Sequence, residues 1–484
     1  MSRCRASRCI SLSRRAVTLL ACAGGALGAC SDYWFEHVTH GWSYRNVTAF
    51  GARGDGVTDD TAAIQAAIDF ERGGDAGSNA DKSAAFVYIP AGTYKVTDTL
   101  VVWKWTTIQG NALCPPVLLL PSRTPGFDGS SGLRPLVITN GGFNSTTSEH
   151  AWWEESAQHG GETNVYFFSS IRSIGIVVEE GNTGAVALTW NVAQQTTLRN
   201  VTINAASDTA VALDVGVTSE YEHWNAGVPF TLGGGGTIED VTIVGARTGI
   251  RIAATQFPLR GISIHNSSEV ALRVLPPAWS LAFLQLTISS APLAIRLDAG
   301  LQGVATFIDV AMSDISGNAA ISIDAGSRVA PIVLQNVVLT GSTPWIVDGD
   351  LLPASSSGRT LVGAWATGPV YGMGGVARTA AYGPLQLPTL ADAMAQGIAL
   401  ACSGATGSPH LCGGSADDPS SGIPARARPI FGESTVLSAF DYGAVGDGKT
   451  DATAALHAAL AALANAGTAA TLFIPFGIYL VHGE

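Results

Sequence analysis

Leu198-Arg199-Asn200-Val201-Thr202-Ile203 returns as Ile238-Glu239-Asp240-Val241-Thr242-Ile243. The same apolar-x-polar/Gly-apolar-x-apolar unit stands at Ile171–Ile176, Leu259–Ile264, Phe283–Ile288, Phe307–Met312 and Leu334–Leu339. Successive starts are 27, 40, 21, 24, 24 and 27 residues apart, and the longest interval holds the run Gly233 to Gly236. A period of this length is that of stacked β-coils, in which a short alternating strand points Val, Ile or Leu inward onto the coil below and polar residues outward. The third position of the unit is Asn200, Asp240, Gly261, Asp309 or Asn336 in five of the seven copies. These residue types tolerate the left-handed backbone that a sharp turn between coil faces demands. A β-sandwich would instead show hairpin turns every 8–12 residues. The expected fold is all-β: a right-handed parallel β-helix with a short N-terminal capping α-helix.

A second repeat brackets the coils. Gly51-Ala52-Arg53-Gly54-Asp55-Gly56-Val57-Thr58-Asp59-Asp60-Thr61-Ala62-Ala63 recurs 392 residues later as Gly443-Ala444-Val445-Gly446-Asp447-Gly448-Lys449-Thr450-Asp451-Ala452-Thr453-Ala454-Ala455, identical at ten of thirteen positions. Each copy continues into residues at helical spacing, Ile64, Ala67 and Ile68 or Leu456, Leu460 and Leu463. Each then reaches a strand, Ile89-Pro90-Ala91-Gly92-Thr93-Tyr94 or Ile474-Pro475-Phe476-Gly477-Ile478-Tyr479. Thr58, Asp59 or Asp60 is placed to cap the first helix. The recurring aspartates therefore read as turn and cap chemistry rather than as an acid–base cluster. A helix and one strand bury no independent core, so the second copy reads as the truncated opening of another module. The expected organisation is a leader at 1–30, a first β-helix module at 31–402, a linker at 403–432 and the start of a second module at 433–484.

Composition narrows the partner. Charged residues make up 13% of the chain and glycine supplies 57 of 484 residues, which excludes a coiled coil, while 46% apolar content excludes a mainly disordered chain. The first thirty residues hold five arginines and no acid; beyond them 21 basic residues face 38 acidic ones, a net −17. Such a surface repels nucleic acid, anionic lipid and polygalacturonate and favours a neutral polysaccharide. Residues 1–30 have the layout of a secretory signal peptide, implying a secreted protein. Leu27-Gly28-Ala29-Cys30 also fits a lipobox, which would anchor the chain by a lipid at Cys30, and cleavage without acylation stays open. No later apolar run is long enough to span a bilayer. Cys402 and Cys412 flank a Gly/Ser/Pro-rich loop and suggest a local disulfide, leaving Cys114 as a buried apolar side chain. Cysteine spacing gives no metal site.

The repeated GAxGDGxTDxTAA opening resembles the pectate-lyase-like β-helix superfamily. Tyr33-Trp34-Phe35-Glu36-His37-Val38-Thr39-His40, Phe167-Phe168-Ser169-Ser170-Ile171-Arg172-Ser173-Ile174 and Trp190-Asn191-Val192-Ala193-Gln194-Gln195-Thr196-Thr197-Leu198-Arg199-Asn200-Val201 resemble the two-module exo-β-1,3-glucanases of glycoside hydrolase family 55. That resemblance implies inverting cleavage of terminal β-1,3-glucosyl units without a cofactor, in a cleft between two β-helices. Inversion needs a protonated carboxyl and a polar group that holds the attacking water on the opposite face. The family's general acid is a glutamate of the second module, outside this sequence.

The family's Trp-Gln-x-x-Gln pattern corresponds to Trp190-Asn191-Val192-Ala193-Gln194. The resemblance gives Gln194 to water positioning, with an outward amide ladder as the alternative, and Asn191 is a methylene shorter than the family's glutamine. Trp190 is a candidate for stacking on a sugar, or for packing against a loop. Trp152 and Trp153, in a polar loop with Glu154 and Glu155, are a second glycan-contacting candidate, or fold onto their own rod. Glu179, Glu180, Asp298 and Asp324 read as solvated. Two competing functions share this fold: a non-catalytic glycan-binding or adhesin-like β-helix, and a pectin-active lyase or polygalacturonase. The latter would need Lys/Arg-lined recognition of uronates.

Overall fold

The computed structural model describes residues 44–70, 84–139, 167–216, 234–341 with breaks at 277 and 325–330, short strands between 345 and 378, and 435–482 with breaks at 466–469 and 475–477. Trp152, Trp153, Cys30, Cys402, Cys412, the leader and the linker at 403–432 lie outside the described residues.

Two sheets run side by side along a stack of coils. The longer takes the strands Ser170–Val178, Thr197–Ala205, Thr237–Gly245, Gln256–His265, Ser280–Ala291, Val304–Ile315 and Ile332–Thr340 in chain order, each parallel to the next. The second takes the alternate strands Arg134–Thr139, Ala185–Trp190, Val211–Val215, Thr248–Ile252, Val270–Val274, Leu293–Leu297 and Ala319–Ile323. Sequence neighbours thus lie in different sheets, and each strand pairs with its counterpart one coil away. Equivalent side chains stack: Ile171, Leu198, Ile238, Leu259, Phe283, Phe307 and Leu334 form one buried row. Within it the Phe283 and Phe307 rings stack with centroids 4.8 Å apart and planes nearly parallel. Fully burying each such side chain contributes roughly 1.5–3 kcal/mol before entropy is counted.

The bend within each long-sheet strand falls on the third position of the repeat. Ser173, Asn200, Asp240, Gly261, Gln285, Asp309 and Asn336 all have φ between +52° and +65°. Asn, Asp and Gly were expected there; Ser173 and Gln285 adopt the same conformation because the coils above and below impose it. Side chains of the row also bond along the stack, Asn200 donating to Ser173 Oγ at 3.1 Å and Asn336 to Asp309 Oδ1 at 2.7 Å. The parallel order ends at Arg359–Thr367, which pairs antiparallel with Ile332–Thr340 and lays Trp365 against the core.

The duplicated opening is duplicated in structure. Strand Asp55–Asp59 precedes helix α1 (Thr61–Asp69), and strand Asp447–Asp451 precedes helix α2 (Thr453–Asn465). Asp55 Oδ1 accepts from the Val57 and Thr58 amides at 2.8 and 2.7 Å; Asp447 Oδ1 accepts from Lys449 and Thr450 at the same distances. Asp59 and Asp451 take the amide and hydroxyl of Thr61 and Thr453 at the helix starts. Asp60 turns back, buried, to the Arg53 and Gly54 amides. Turn and cap chemistry accounts for these aspartates. Ile64, Ala67 and Ile68 of α1 enter the core.

Cys114 differs from its expected role: it is half-buried and disulfide-bonded, with its partner outside the described residues. Among the described residues no helix is long and apolar enough to cross a membrane.

Two outcomes follow. Asn200→Val, which places a branched side chain at φ +52°, lowers the unfolding free energy in urea by about 1–2 kcal/mol, whereas Asn200→Gly costs less. Amide hydrogen bonds from Thr450 and Lys449 depress the Asp447 carboxyl to about 2. A carboxyl lowered on folding stabilises above its unfolded value near 4 and loses that contribution as pH falls toward 2. Protection of the Lys449 and Thr450 amides, taken as exchange relative to the intrinsic rate at each pH, therefore falls across that window, and in Asp447→Asn it does not change with pH.

Candidate functional site: the outward row of the second sheet

On the second sheet, Leu188, Leu213, Ile250, Leu272, Ile295 and Ile321 form one buried row, and Trp190, Val215, Ile252, Val274, Leu297 and Ile323 form another. Strand alternation turns the row between them outward: Thr189, Asp214, Arg251, Arg273, Arg296 and Ser322. The sheet spacing sets these side chains about 4.8 Å apart along the stack, so each reaches its neighbour.

Three aspartates answer the three arginines. Arg251 Nη2 lies 2.5 Å from Asp214 Oδ2, with both side chains buried. Arg273 forks onto Asp298, its Nε and Nη2 at 3.0 and 2.7 Å from Oδ2. Arg296 bridges Asp298 at 2.9 Å and Asp324 at 3.2 Å. Burial works against the Arg296 charge, but Asp298 and then Asp324 outweigh it and raise the guanidinium above its ordinary value. Exposure grows along the row: the side chain of Arg251 is 3% accessible, that of Arg273 31% and that of Arg296 43%. The array is a charge-balanced polar strip, closed at Asp214 and open toward Arg296. Its chemistry is dense, oriented hydrogen bonding, with guanidinium donors fixed by carboxylate acceptors. Among the described residues no group of three or more His, Cys, Asp or Glu side chains is placed to hold a metal ion.

The structure corrects several sequence expectations. Trp190 is fully buried in the core beneath this face and offers no ring to a sugar. Its position is an inward one, in register with Val215 and Thr139. Asn191 is also buried; its amide donates to Thr139 Oγ1 at 2.8 Å, fixing the exit from the strand. Asp298 is largely buried between two arginines rather than solvated. Gln194 is exposed, on the turn that follows Trp190. A Cβ on Gly235, which has φ +96°, would come within 2.6 Å of Gln194 Cγ, so glycine there lets the next coil close against this side chain. On the other sheet His265 Nδ1 lies 2.7 Å from Ser289 Oγ, and burial lowers its pKa.

Fold and site together define a parallel β-solenoid with a polar strip on one outer face. A family profile, Rhamnogalacturonase A/epimerase, pectate lyase-like, matches residues 44–296 and 436–484, and the chain belongs to that family. It is 26% identical to a glucan 1,3-beta-glucosidase of Cochliobolus carbonum over 465 residues, 90% of this chain and 50% of that protein. It is 26% identical to the non-secreted LysM effector LysM15 of Penicillium expansum over 479 residues, 93% of this chain and 30% of that protein. The chain thus spans half or less of the length of these relatives. Among solved structures, a 1,3-alpha-1,4-beta-D-galactose-4-sulfate-3,6-anhydro-D-galactose-2-sulfate 4 galactohydrolase matches at 15% identity and TM-score 0.40, covering 60% of this chain and 61% of that one.

The buried pair has a measurable consequence. Asp214→Ala removes the buried carboxylate that faces Arg251 and lowers the unfolding free energy by about 3–5 kcal/mol, whereas Asp214→Leu with Arg251→Met recovers most of it. Urea titration of the two variants beside the unsubstituted chain checks both statements.

Proposed function

We propose that this chain forms part of a glycoside hydrolase acting on β-1,3-glucan, exo-acting and inverting, with the outer face of the second sheet as its share of the substrate groove. The observation that carries the reading is the internal charge balance of that face. A site for uronates needs cationic side chains in excess; here Arg251, Arg273 and Arg296 are each engaged by an aspartate. The net −17 beyond the leader weighs against a polyanion in the same sense. The glucosidase name of the Cochliobolus carbonum relative supports a β-1,3-linked glucose polymer as the neutral polysaccharide.

On this reading Gln194 holds the attacking water at the margin of the face, and the proton donor comes from chain outside the described residues. The coils wind right-handed, as parallel crossovers almost always do, and α1 closes the end of the rod. The division into a first module at 31–402, a linker at 403–432 and a second module's opening at 433–484 belongs to the same proposal. So do export through the leader and lipid attachment at Cys30 as an alternative to free secretion. A second reading, glycan binding without cleavage, draws on the same mutual pairing, because side chains that satisfy one another form a rigid recognition surface.

Incubation of the chain, extended by its second module, with laminarin and with pectate separates the readings, because without the proton donor the chain would bind without release under either one. Glucose released from laminarin as the α-anomer supports exo-acting inversion, and Gln194→Ala then lowers that rate by about 10²-fold. Laminarin binding without release supports the second reading. Uronate products from pectate overturn both.

A further inference from the structure

The turn that leaves the second sheet after Val274, one residue past Arg273, carries Trp279 with 52% of its surface exposed. Leaving an indole in water forgoes the gain from burying it. The exposure is not slack. The Ala278 carbonyl accepts the Gln302 and Gly303 amides of the next coil at 3.3 and 3.1 Å, and the Trp279 and Ser280 amides reach Ala254 and Thr255 of the coil before at 3.4 and 2.7 Å. The indole Nε1 donates to Gln302 Oε1 at 3.2 Å. A Cβ on Gly303 would sit 1.3 Å from the Trp279 carbonyl oxygen, so only glycine lets the two turns close to this distance. Three successive coils hold one aromatic ring still while leaving its face open.

The surroundings say what the ring is for. Gln302 lies four residues past Asp298, on the turn that leaves the open end of the arginine–aspartate strip. Ser280, the next residue in the chain, and Gln302, the hydrogen-bond partner of the ring, are both polar, and Pro276 is an exposed apolar residue earlier in the turn. A protein-docking patch needs contiguous apolar area, whereas one fixed aromatic among polar groups suits a sugar, whose C–H face is apolar and whose rim is hydroxylated. We propose that Trp279 and Gln302 form a stacking platform for a neutral pyranose beside the strip. The indole takes the C–H face; with Oε1 engaged by the indole, the Gln302 amide nitrogen donates to a ring hydroxyl. Because the ring is already immobilised, ordering it adds little to the cost of binding. The inference rests on the glycan reading above.

Laminari-oligosaccharide binding to the full chain, followed by tryptophan fluorescence and affinity electrophoresis, tests it. Trp279→Ala weakens binding about tenfold at an unchanged thermal midpoint, Trp279→Phe restores most of it, and Gln302→Leu falls between. Unchanged affinity in Trp279→Ala overturns the platform. If the unsubstituted chain binds no laminari-oligosaccharide, the β-1,3-glucan assignment fails by itself, and an array of neutral glycans probed with both proteins decides the platform. A glycan held by the unsubstituted chain and lost by Trp279→Ala sustains it; an array on which the two proteins behave alike overturns it.

Discussion

Everything in this molecule depends on one backbone constraint, a left-handed residue at the same place in seven successive coils. The bend lets a single strand serve two faces, returns the chain to the second sheet at a constant height, and so makes equivalent side chains superpose. Each bend opposes an intrinsic preference of roughly 1–2 kcal/mol in a non-glycine residue, and the aligned amides, carboxylates and hydroxyls of the row help to offset it. Once the coils are in register the interior needs only apolar side chains of similar size, and the exterior inherits straight rows of whatever the sequence puts there.

The outward row of the second sheet is a product of that register. Three arginines and three aspartates, contributed by successive coils, become neighbours because the stack brings equivalent positions to the same face. A strip that neutralises itself is rigid and polar without being strongly charged, a surface suited to hydroxyl groups. The turns bordering it are pinned by amides of adjacent coils, so the aromatic side chain they present is held by the same stacking that builds the core.

Much of the architecture was legible because Leu198–Ile203 and its copies carry both the inward alternation and the turn residue. The head-of-module aspartates were legible because duplication separated structural chemistry from catalysis. The outward strip was missed, although a second repeat announces it: Ala212-Leu213-Asp214-Val215, Gly249-Ile250-Arg251-Ile252, Ala271-Leu272-Arg273-Val274 and Ala294-Ile295-Arg296-Leu297 share the order small, apolar, charged, apolar. Ala187-Leu188-Thr189-Trp190 belongs to the same series, which puts Trp190 at an inward position and explains why a residue chosen by family resemblance lies in the core. Trp279 carries no periodic signal, and its bonds to the neighbouring coils together with the closeness of Gly303 show that it is held. Cys114 was misjudged because parity among cysteines does not reveal which ones meet.

Hydrogen–deuterium exchange of the full chain with and without laminarihexaose tests the central claim, that the outer face of the second sheet is the neutral-glycan surface. The account predicts slower exchange confined to Val270–Val274, Leu293–Leu297 and the turns at 275–280 and 298–303, and no change with oligogalacturonate. Protection on the outer face of the long sheet instead, or protection by the uronate and not by the glucan, would contradict it.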